Sequence, residues 1–199
     1  MPGPDKAADI AAAKASLRAR VLARRDAKPA HQRAPAENAI RALLLTEVLP
    51  LDGVVSGFLP IRSEVDITPV LVDLVKAGRT VVLPVVIDRE TVEFREWTPD
   101  TPLEDAGFGT RGPGEDAEVI DPDIVIAPLA AFDRRGIRLG YGAGHYDRAL
   151  ARLDAAGPVT TIGVAFALQQ EGLVPAERTD RPLDRIVTEH GVLVADRTP

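Results

Sequence analysis

The sequence contains no cysteine and only three histidines among its 199 residues. Without cysteine the chain has no disulfide, no thiolate nucleophile and no cysteine-ligated zinc site. The histidines, His31, His145 and His190, are not at the spacing of zinc ligands. A metal bound by this chain would therefore have oxygen ligands, as Mg²⁺ usually has.

Basic charge and long apolar runs are also scarce. The 24 Lys and Arg residues are outnumbered by 30 Asp and Glu residues, which gives a formal net charge of −6. This balance argues against a general nucleic-acid binder, because such a protein needs a clustered basic surface. No apolar run reaches the roughly 18 to 20 residues of a membrane span, and residues 1–9 do not resemble a signal peptide. We expect a cytoplasmic protein that binds neither nucleic acid nor membrane.

Hydrophobic residues make up 45% of the chain, which is enough for one folded domain. Residues 1–10 are predicted to be a disordered tail, and residues 11–199 to form a single α/β domain. Helices are predicted at 11–25, 36–49, 68–77 and 146–156, strands at 54–59, 80–83, 92–97, 124–127 and 159–165, and loops at 26–35 and 98–122. This alternation predicts a three-layer, Rossmann-like fold with a mainly parallel sheet flanked by helices. Its ligand site should lie beyond the carboxyl ends of the strands.

The sharpest local signal is a glycine-rich loop just before the last predicted helix. Gly140, Gly142 and Gly144 alternate there, so the backbone can approach a ligand closely and direct amide N–H groups at it. Arg138 and Arg148 flank the loop with permanent cations, and a helix N-terminus adds partial positive charge. This pattern predicts phosphate binding, although a glycine-rich turn with solvated arginines fits the glycines alone. The loop matches neither the Walker A motif nor the dinucleotide fingerprint.

A second cationic feature lies on the first predicted helix. Lys14 and Arg18 stand four residues apart, which places both side chains on one helical face. Such a pair can clamp a polyphosphate, and it can also form an ordinary solvated helix face.

The segment from Arg138 to Arg148 resembles the signature of the 5-formyltetrahydrofolate cyclo-ligase family, also called methenyltetrahydrofolate synthetases. The usual form of that signature is Arg-Leu-Gly-x-Gly-x-Gly-Tyr-Tyr-Asp. The resemblance extends to residues 14–18, 58–66 and 174–180, with Asp184 beyond, and so covers about residues 11 to 190. It implies an enzyme that uses ATP and Mg²⁺ to convert 5-formyltetrahydrofolate to 5,10-methenyltetrahydrofolate, releasing ADP and phosphate.

The resemblance also implies roles for individual residues. ATP would be bound by Lys14, Arg18, Arg138, Leu139, Gly140, Tyr141, Gly142, Ala143, Gly144, His145 and Tyr146. The folate would be bound by Leu59, Glu64, Tyr141, Gly142, Ala143, Gly144 and His145. Lys14, Arg138 and Tyr146 would be the catalytic residues, and Asp147 and Asp180 would hold Mg²⁺.

Several of these positions have alternatives at the sequence level. Asp147 could be an ordinary helix-start carboxylate, and Asp180 a turn residue, with Asp184 as another metal ligand. Glu64 could be a carboxylate near the start of a helix, and Asp66 could replace it at the folate. Phe108 and Trp97 are candidates for an aromatic wall of the pocket, or for the core.

The implied mechanism needs no protein nucleophile. The formyl oxygen attacks the γ-phosphate, N10 closes onto the activated carbon, and loss of phosphate leaves the methenyl bridge. One departure from the signature is His145, which stands where the family has its first tyrosine. It removes a phenol from the pocket and introduces a group that titrates near neutral pH. A monomer is expected, and the length of the folate's glutamate tail stays open.

Two other functions compete with this one. A sugar-phosphate isomerase or acyl-CoA transferase of similar architecture would use the loop for a substrate phosphate, without ATP or Lys14. A ligand-sensing domain would keep the phosphate loop without turnover.

Overall fold

The computed structural model describes residues 4–88, 91–107, 109–177 and 180–196. Its helices are α1 (Pro4–Asp26), α2 (Ala30–Val48), α3 (Thr68–Lys76) and α4 (His145–Ala156), with a 3₁₀ turn at Ala167–Gln169. Its strands are β1 (Val55–Ser56), β2 (Val81–Val86), β3 (Val92–Glu96), β4 (Leu103–Asp105), β5 (Arg111–Pro113), β6 (Ile124–Pro128), β7 (Ala131–Phe132), β8 (Arg138–Leu139), β9 (Thr160–Val164), β10 (Arg185–Thr188) and β11 (Gly191–Val194). None of the helices in these ranges is long and apolar enough to cross a membrane.

Seven strands form the central sheet, in the order β11-β10-β9-β6-β1-β2-β3. The inner strands from β10 to β2 run parallel, and β11 and β3 pair antiparallel with their neighbours at the two edges. The predicted mainly parallel sheet is therefore confirmed. Because parallel strands share one carboxyl end, the loops that follow β1, β6 and β9 meet at the same edge of the sheet.

Each strand of this sheet contributes side chains to both faces. Ile124 and Ile126 of β6 lie in the cluster that includes α2 and α3, whereas Val125 and Ala127 lie in the cluster that includes α4. This period of two is the geometry of a strand that is buried on both faces. The three-layer prediction is confirmed, with α2 and α3 on one face and α4 on the other.

Helix α1 packs against the segment that leads to the glycine loop. Leu17 and Val21 form a third cluster with Ala131, Ile137 and Leu139 of the small β7–β8 hairpin and its turn. With this face buried, α1 carries its predicted cations toward the glycine loop.

Three boundaries predicted from the sequence are wrong. Helix α1 begins at Pro4, so residues 4–10 are helical where a tail was predicted, in keeping with the good helix formers in that stretch. Helix α2 begins at Ala30 and includes Pro35, within the predicted loop 26–35. Proline costs this helix one backbone hydrogen bond, and burial of Ile40 and Leu44 on its inner face offsets that loss.

The third wrong boundary is that of the predicted long loop at 98–122, which contains regular structure. Strands β4 and β5 pair there as an antiparallel hairpin. Each strand has only three residues, which is too short for an alternating pattern to stand out in the sequence.

Candidate active site

The glycine loop connects β8 to α4 with a backbone that favours glycine. Gly142 has φ of 101°, and Gly144, the N-cap of α4, has φ of 71°. Both values lie in the left-handed region, where a side chain is strained. A Cβ at Gly144 would also lie 2.7 Å from Nη1 of Arg148. The loop is therefore built to bring backbone close to other groups at the start of a helix.

Two arginines are held against this loop by backbone carbonyls. Arg18 donates from Nε to the carbonyl oxygen of Gly140 at 2.7 Å, and Arg148 donates from Nη2 to that of Ala143 at 2.8 Å. The Arg18 guanidinium also lies beside Gly142, where an added Cβ would be 3.3 Å from Nη2. The predicted meeting of α1 with the glycine loop is thus present in the structure.

Lys14 contacts a carboxylate that was predicted to hold metal. Its Nζ lies 2.6 Å from Oδ2 of Asp180 and 2.8 Å from Oε2 of Glu177. Burial alone would lower the pKa of Lys14, but the hydrogen bonds to Asp180 and Glu177 outweigh it and raise the pKa above its usual value. Lys14 is therefore a firmly charged ammonium group between two carboxylates.

Arg138 and Asp147 form a second such pair. Nη2 of Arg138 donates to Oδ1 of Asp147 at 2.6 Å, and the Arg138 side chain is only 5% exposed. Burial raises the pKa of Asp147, with the negative charge of Asp180 acting in the same direction and the cations Arg138 and Lys14 acting against it. The two predicted metal ligands are thus near enough to influence each other.

The donor set at this place suits Mg²⁺. The Asp147 side chain keeps 38% of its surface exposed, and Asp180 keeps 19%. No cluster of three or more acidic or histidine ligands occurs in the described residues. Two carboxylates, with phosphate oxygens and water completing the shell, are the usual protein contribution to a Mg²⁺ site.

Asp184, the alternative ligand, lies elsewhere. Its Oδ2 accepts hydrogen bonds from N and Oγ1 of Thr161, at 2.7 and 2.6 Å. Thr161 lies near the start of β9 and Asp184 directly precedes β10, so these bonds join the beginnings of two neighbouring parallel strands. Asp180 fills the alternative role of a turn residue, because its Oδ2 also accepts from the backbone N–H of Glu177 at 2.7 Å.

Glu64 is buried close to the loop and has one oxygen without a partner. Oε2 accepts from the backbone N–H of Ile61 at 2.8 Å, whereas Oε1 has no hydrogen-bond partner among the described residues. Burial raises the pKa of Glu64 above the usual value, and the Ile61 N–H, the charge of Arg25 and an interaction with the Tyr141 hydroxyl limit that rise. A buried carboxylate oxygen left unpaired is costly unless a ligand supplies a donor.

Tyr146 carries the second unpartnered buried oxygen. Its hydroxyl has no hydrogen-bond partner in the described part of the chain, and its ring lies 5.8 Å from the guanidinium carbon of Arg138. Burial raises the pKa of this hydroxyl, and the charge of Glu64 raises it further, so it stays protonated. Glu64 therefore offers an acceptor, and Tyr146 a donor, to the same neighbourhood.

The other residues that the sequence assigned to the two ligands differ in how far they are buried. Leu59 is half-buried against the core, and the side chain of Leu139 is buried in the cluster with α1, so a ligand would meet Leu139 through its backbone. Asp66 is exposed and accepts from the Thr68 N–H at 2.9 Å at the start of α3, which is a structural role. Trp97 belongs to the core, and Phe108 lies outside the described residues.

His145, the departure from the signature, is the first residue of α4. Burial lowers its pKa, and the charge of Arg148 lowers it further. The imidazole is therefore mainly neutral at pH 7, and this substitution adds no charge beside the loop.

Two residues of the candidate active site, Glu177 and Arg25, were not predicted from the sequence. Glu177 lies within the matched segment and holds Lys14. Arg25, which is 1% exposed, donates to the Tyr141 hydroxyl. The spacing of Lys14, Arg18 and Arg25, four and then seven residues apart, continues one helical face and could have indicated the second residue.

Comparison with known proteins places this site in a family. Residues 10–189 match the model of the 5-formyltetrahydrofolate cyclo-ligase family. The chain is 32% identical to the 5-formyltetrahydrofolate cyclo-ligase of Mycolicibacterium smegmatis, over 92% of this chain and 97% of the relative. It is 30% identical to the enzyme of the same name from Escherichia coli K12, over 83% of this chain and 93% of the relative.

A solved structure supports the same family membership. The NMR structure of the Aquifex aeolicus 5,10-methenyltetrahydrofolate synthetase superimposes with a TM-score of 0.79 at 29% identity, and the match covers 94% of each chain. Sequence, fold and site geometry agree, and the chain belongs to the 5-formyltetrahydrofolate cyclo-ligase family of enzymes.

Proposed function

We propose that this chain uses ATP and Mg²⁺ to convert 5-formyltetrahydrofolate to 5,10-methenyltetrahydrofolate, with release of ADP and phosphate. The observation that carries the proposal is the meeting of α1 with the glycine loop, where two cations of the predicted phosphate site each pair with a predicted metal carboxylate. Lys14 contacts Asp180, and Arg138 contacts Asp147. A ligand that brings both a polyanion and a divalent cation can satisfy all four groups at once.

On the nucleotide side, Lys14, Arg18 and Arg138 would neutralise phosphate oxygens. The N-terminus of α4 and the amide groups of the glycine loop would add hydrogen-bond donors, as they do at many phosphate sites. Arg18 already lies on the loop through its bond to Gly140, so its position does not depend on the nucleotide.

Asp147 and Asp180 would hold the magnesium ion. When bound, Mg²⁺ neutralises phosphate charge and withdraws electrons from the phosphorus that is attacked. The protein's part is to hold the two carboxylates near each other at the start of α4, at the point where the phosphates would lie.

On the folate side, Glu64 would accept hydrogen bonds from N–H donors of the pterin ring. Its buried Oε1 has no partner among the described residues and is suited to this role. The Tyr146 hydroxyl, also without a partner there, would donate to an oxygen of the substrate. The glycine loop lies between the two sides, so one loop would contact both reactants.

The chain then acts by placing two reactants and stabilising charge. With the formyl oxygen in line with the γ-phosphorus, a new P–O bond forms as the bond to ADP breaks. N10 attacks the activated formyl carbon and loses its proton, the C–O bond to phosphate breaks, and the proton leaves with the released phosphate. Lys14 and Arg138 stabilise the negative charge that moves during these steps, and no side chain becomes covalently modified.

A spectrophotometric assay tests this function. The purified protein is incubated with 5-formyltetrahydrofolate, Mg²⁺ and ATP, and the absorbance of methenyltetrahydrofolate is followed. We expect product only when ATP and Mg²⁺ are both present, and one ADP for each product molecule. Absence of product under varied conditions would contradict the proposal and favour a phosphate-dependent isomerase, a transferase or a sensing domain.

A matched pair of variants makes the assay specific. Lys14→Ala removes the proposed phosphate contact, whereas Lys76→Ala removes an exposed lysine at the end of α3. We expect turnover to fall in the first variant and to be unchanged in the second.

A cytoplasmic location and a monomeric state stay predictions from the sequence.

A further inference from the structure

We propose that Arg25 is a positioning residue for the folate side of the site. In this proposal, its guanidinium holds the Tyr141 ring on the glycine loop and the segment before Glu64 in fixed positions relative to each other. The inference rests on the proposed function and extends it to a residue outside the family signature.

Arg25 contacts two segments that are distant from each other in the sequence. Nη2 donates to the Tyr141 hydroxyl at 2.6 Å, and the guanidinium carbon lies 5.8 Å from the centre of the same ring. Nε donates to Oγ of Ser63 at 2.9 Å, one residue before Glu64. One side chain thus joins the glycine loop to the segment that carries the proposed pterin acceptor.

The environment of Arg25 is unusual for a cation. The residue is 1% exposed, and no carboxylate in the described ranges lies within ion-pair distance of its guanidinium. Its Nη1 donates no hydrogen bond to any described residue. Placing a charge here costs free energy, and a purely structural role could be filled by an apolar side chain of similar volume.

The neighbouring charges indicate which reactant Arg25 serves. Its positive charge acts on Glu64 and Tyr141, whereas the proposed phosphate-binding cations Lys14 and Arg18 bond to other groups. Tyr141 also stands at a variable position of the signature, so its side chain is fixed by this chain's own contacts. Loss of Arg25 should therefore disturb folate binding more than nucleotide binding.

Steady-state kinetics and binding of four variants test the inference. Arg25→Ala removes all contacts, Arg25→Lys keeps the charge without the planar fork, and Tyr141→Phe removes only the hydroxyl. Arg24→Ala is the control, because Arg24 is the preceding residue of α1 and pairs with Glu171 at the surface. Each variant is compared with the wild type in four quantities, namely the folate KM, the ATP KM, kcat and the melting temperature.

We expect Arg25→Ala to raise the folate KM by about tenfold to a hundredfold, the range for loss of hydrogen bonds to a charged group. The ATP KM should change less than about threefold, because Arg25 contacts none of the proposed nucleotide-binding cations. Arg25→Lys should recover part of the folate KM. Tyr141→Phe should raise the folate KM in the wild-type background and have a smaller effect when combined with Arg25→Ala, because the bond to Arg25 is already lost and only the interaction of the hydroxyl with Glu64 remains.

Several outcomes would overturn the inference. They are an equal rise of both KM values, a lower melting temperature with an unchanged folate KM, or additive effects of the two substitutions. If Arg25→Ala does not fold, Arg25→Lys and Tyr141→Phe decide the question, since both leave the site occupied by a similar side chain. Failure of the proposed function would be seen in the wild-type assay, whereas failure of this inference would appear only in the variants.

Discussion

Nζ of Lys14 lies 2.6 Å from Oδ2 of Asp180, which joins a proposed phosphate-binding cation to a proposed magnesium ligand. Oε2 of Glu177 contacts the same nitrogen at 2.8 Å. In the free protein the ammonium group is held between the two carboxylates. Binding of a nucleotide with its metal would exchange the partners, so that Lys14 contacts phosphate and Asp180 contacts the ion.

The first prediction concerns Lys14→Ala. We expect this variant to raise the KM for ATP by about tenfold or more, because it loses a charge-assisted contact to phosphate. The KM for the folate substrate should rise much less, and Lys76→Ala serves as the control. An unchanged ATP KM, measured by steady-state kinetics, would show that Lys14 does not bind the nucleotide.

The second prediction concerns metal removal. In the wild type a non-hydrolysable ATP analogue should bind at least about tenfold more tightly with Mg²⁺ than with EDTA, because the metal-free nucleotide leaves Asp147 and Asp180 uncompensated. Asp180→Asn removes one negative partner of Lys14, so the metal-free analogue should bind this variant more tightly. The ratio between the affinities with Mg²⁺ and with EDTA should therefore be smaller than in the wild type. Calorimetric titration measures both affinities, with the exposed Asp100→Asn as control. The idea of partner exchange fails if Mg²⁺ has the same effect in Asp180→Asn as in the wild type.

The third prediction separates binding from stability at Glu64. Because the folded-state pKa of Glu64 is raised, the folded protein binds this proton more readily than the unfolded chain, and stability decreases as pH rises through the raised pKa. Glu64→Gln removes the buried charge. At pH 7 its melting temperature should exceed that of the wild type, by about 2–4 °C for each kcal/mol gained.

Folate binding should weaken in the same variant, since a pterin donor loses its charged acceptor. The difference in melting temperature should shrink as the pH falls through the raised pKa toward the ordinary pKa of a glutamate, and should stay small below it. Glu115→Gln, on an exposed side chain, should change neither property. A Glu64→Gln protein that melts earlier than the wild type at pH 7, or binds folate equally well, contradicts the assignment.

The fourth prediction compares two glycines at the ends of α4. Gly144 has φ of 71° and little space for a Cβ, whereas Gly157 has extended φ and open space around it. We expect Gly144→Ala to lower the free energy of unfolding by about 1–2 kcal/mol and to weaken nucleotide binding. Gly157→Ala should be neutral or stabilising by up to about 1 kcal/mol. Chemical denaturation checks both values, and equal effects would rule out backbone conformation as the cause.

Contacts between residues that are far apart in the sequence could not be predicted from the sequence pattern. The parallel sheet and its two covered faces follow from apolar runs such as 124–127, because burial on both faces leaves a clear composition signal. The pairing of Lys14 with Asp180 spans 166 positions, and no local rule predicts it. Only the resemblance to a known family placed both residues in one site.

Sequence patterns also gave the wrong prediction where an element is very short, or where burial depends on residues that are distant in the chain. Pro35 predicted a loop, but α2 begins at Ala30 and continues through it, with the buried residues of the helix starting at Ala36. The β4–β5 hairpin has too few residues for periodicity. Arg25 was missed because a lone arginine on a helix is usually solvated, and its burial depends on Ser63 and Tyr141, which are distant in the chain.

The distance along the chain between Lys14 and Asp180 has a consequence for biosynthesis. During translation the first helix leaves the ribosome long before Asp180 has been added. A nascent chain therefore presents the lysine without its acidic partner for most of its synthesis. Because the proposed nucleotide site needs groups from both ends of the sequence, we expect only a chain whose sheet has been assembled to bind nucleotide together with Mg²⁺.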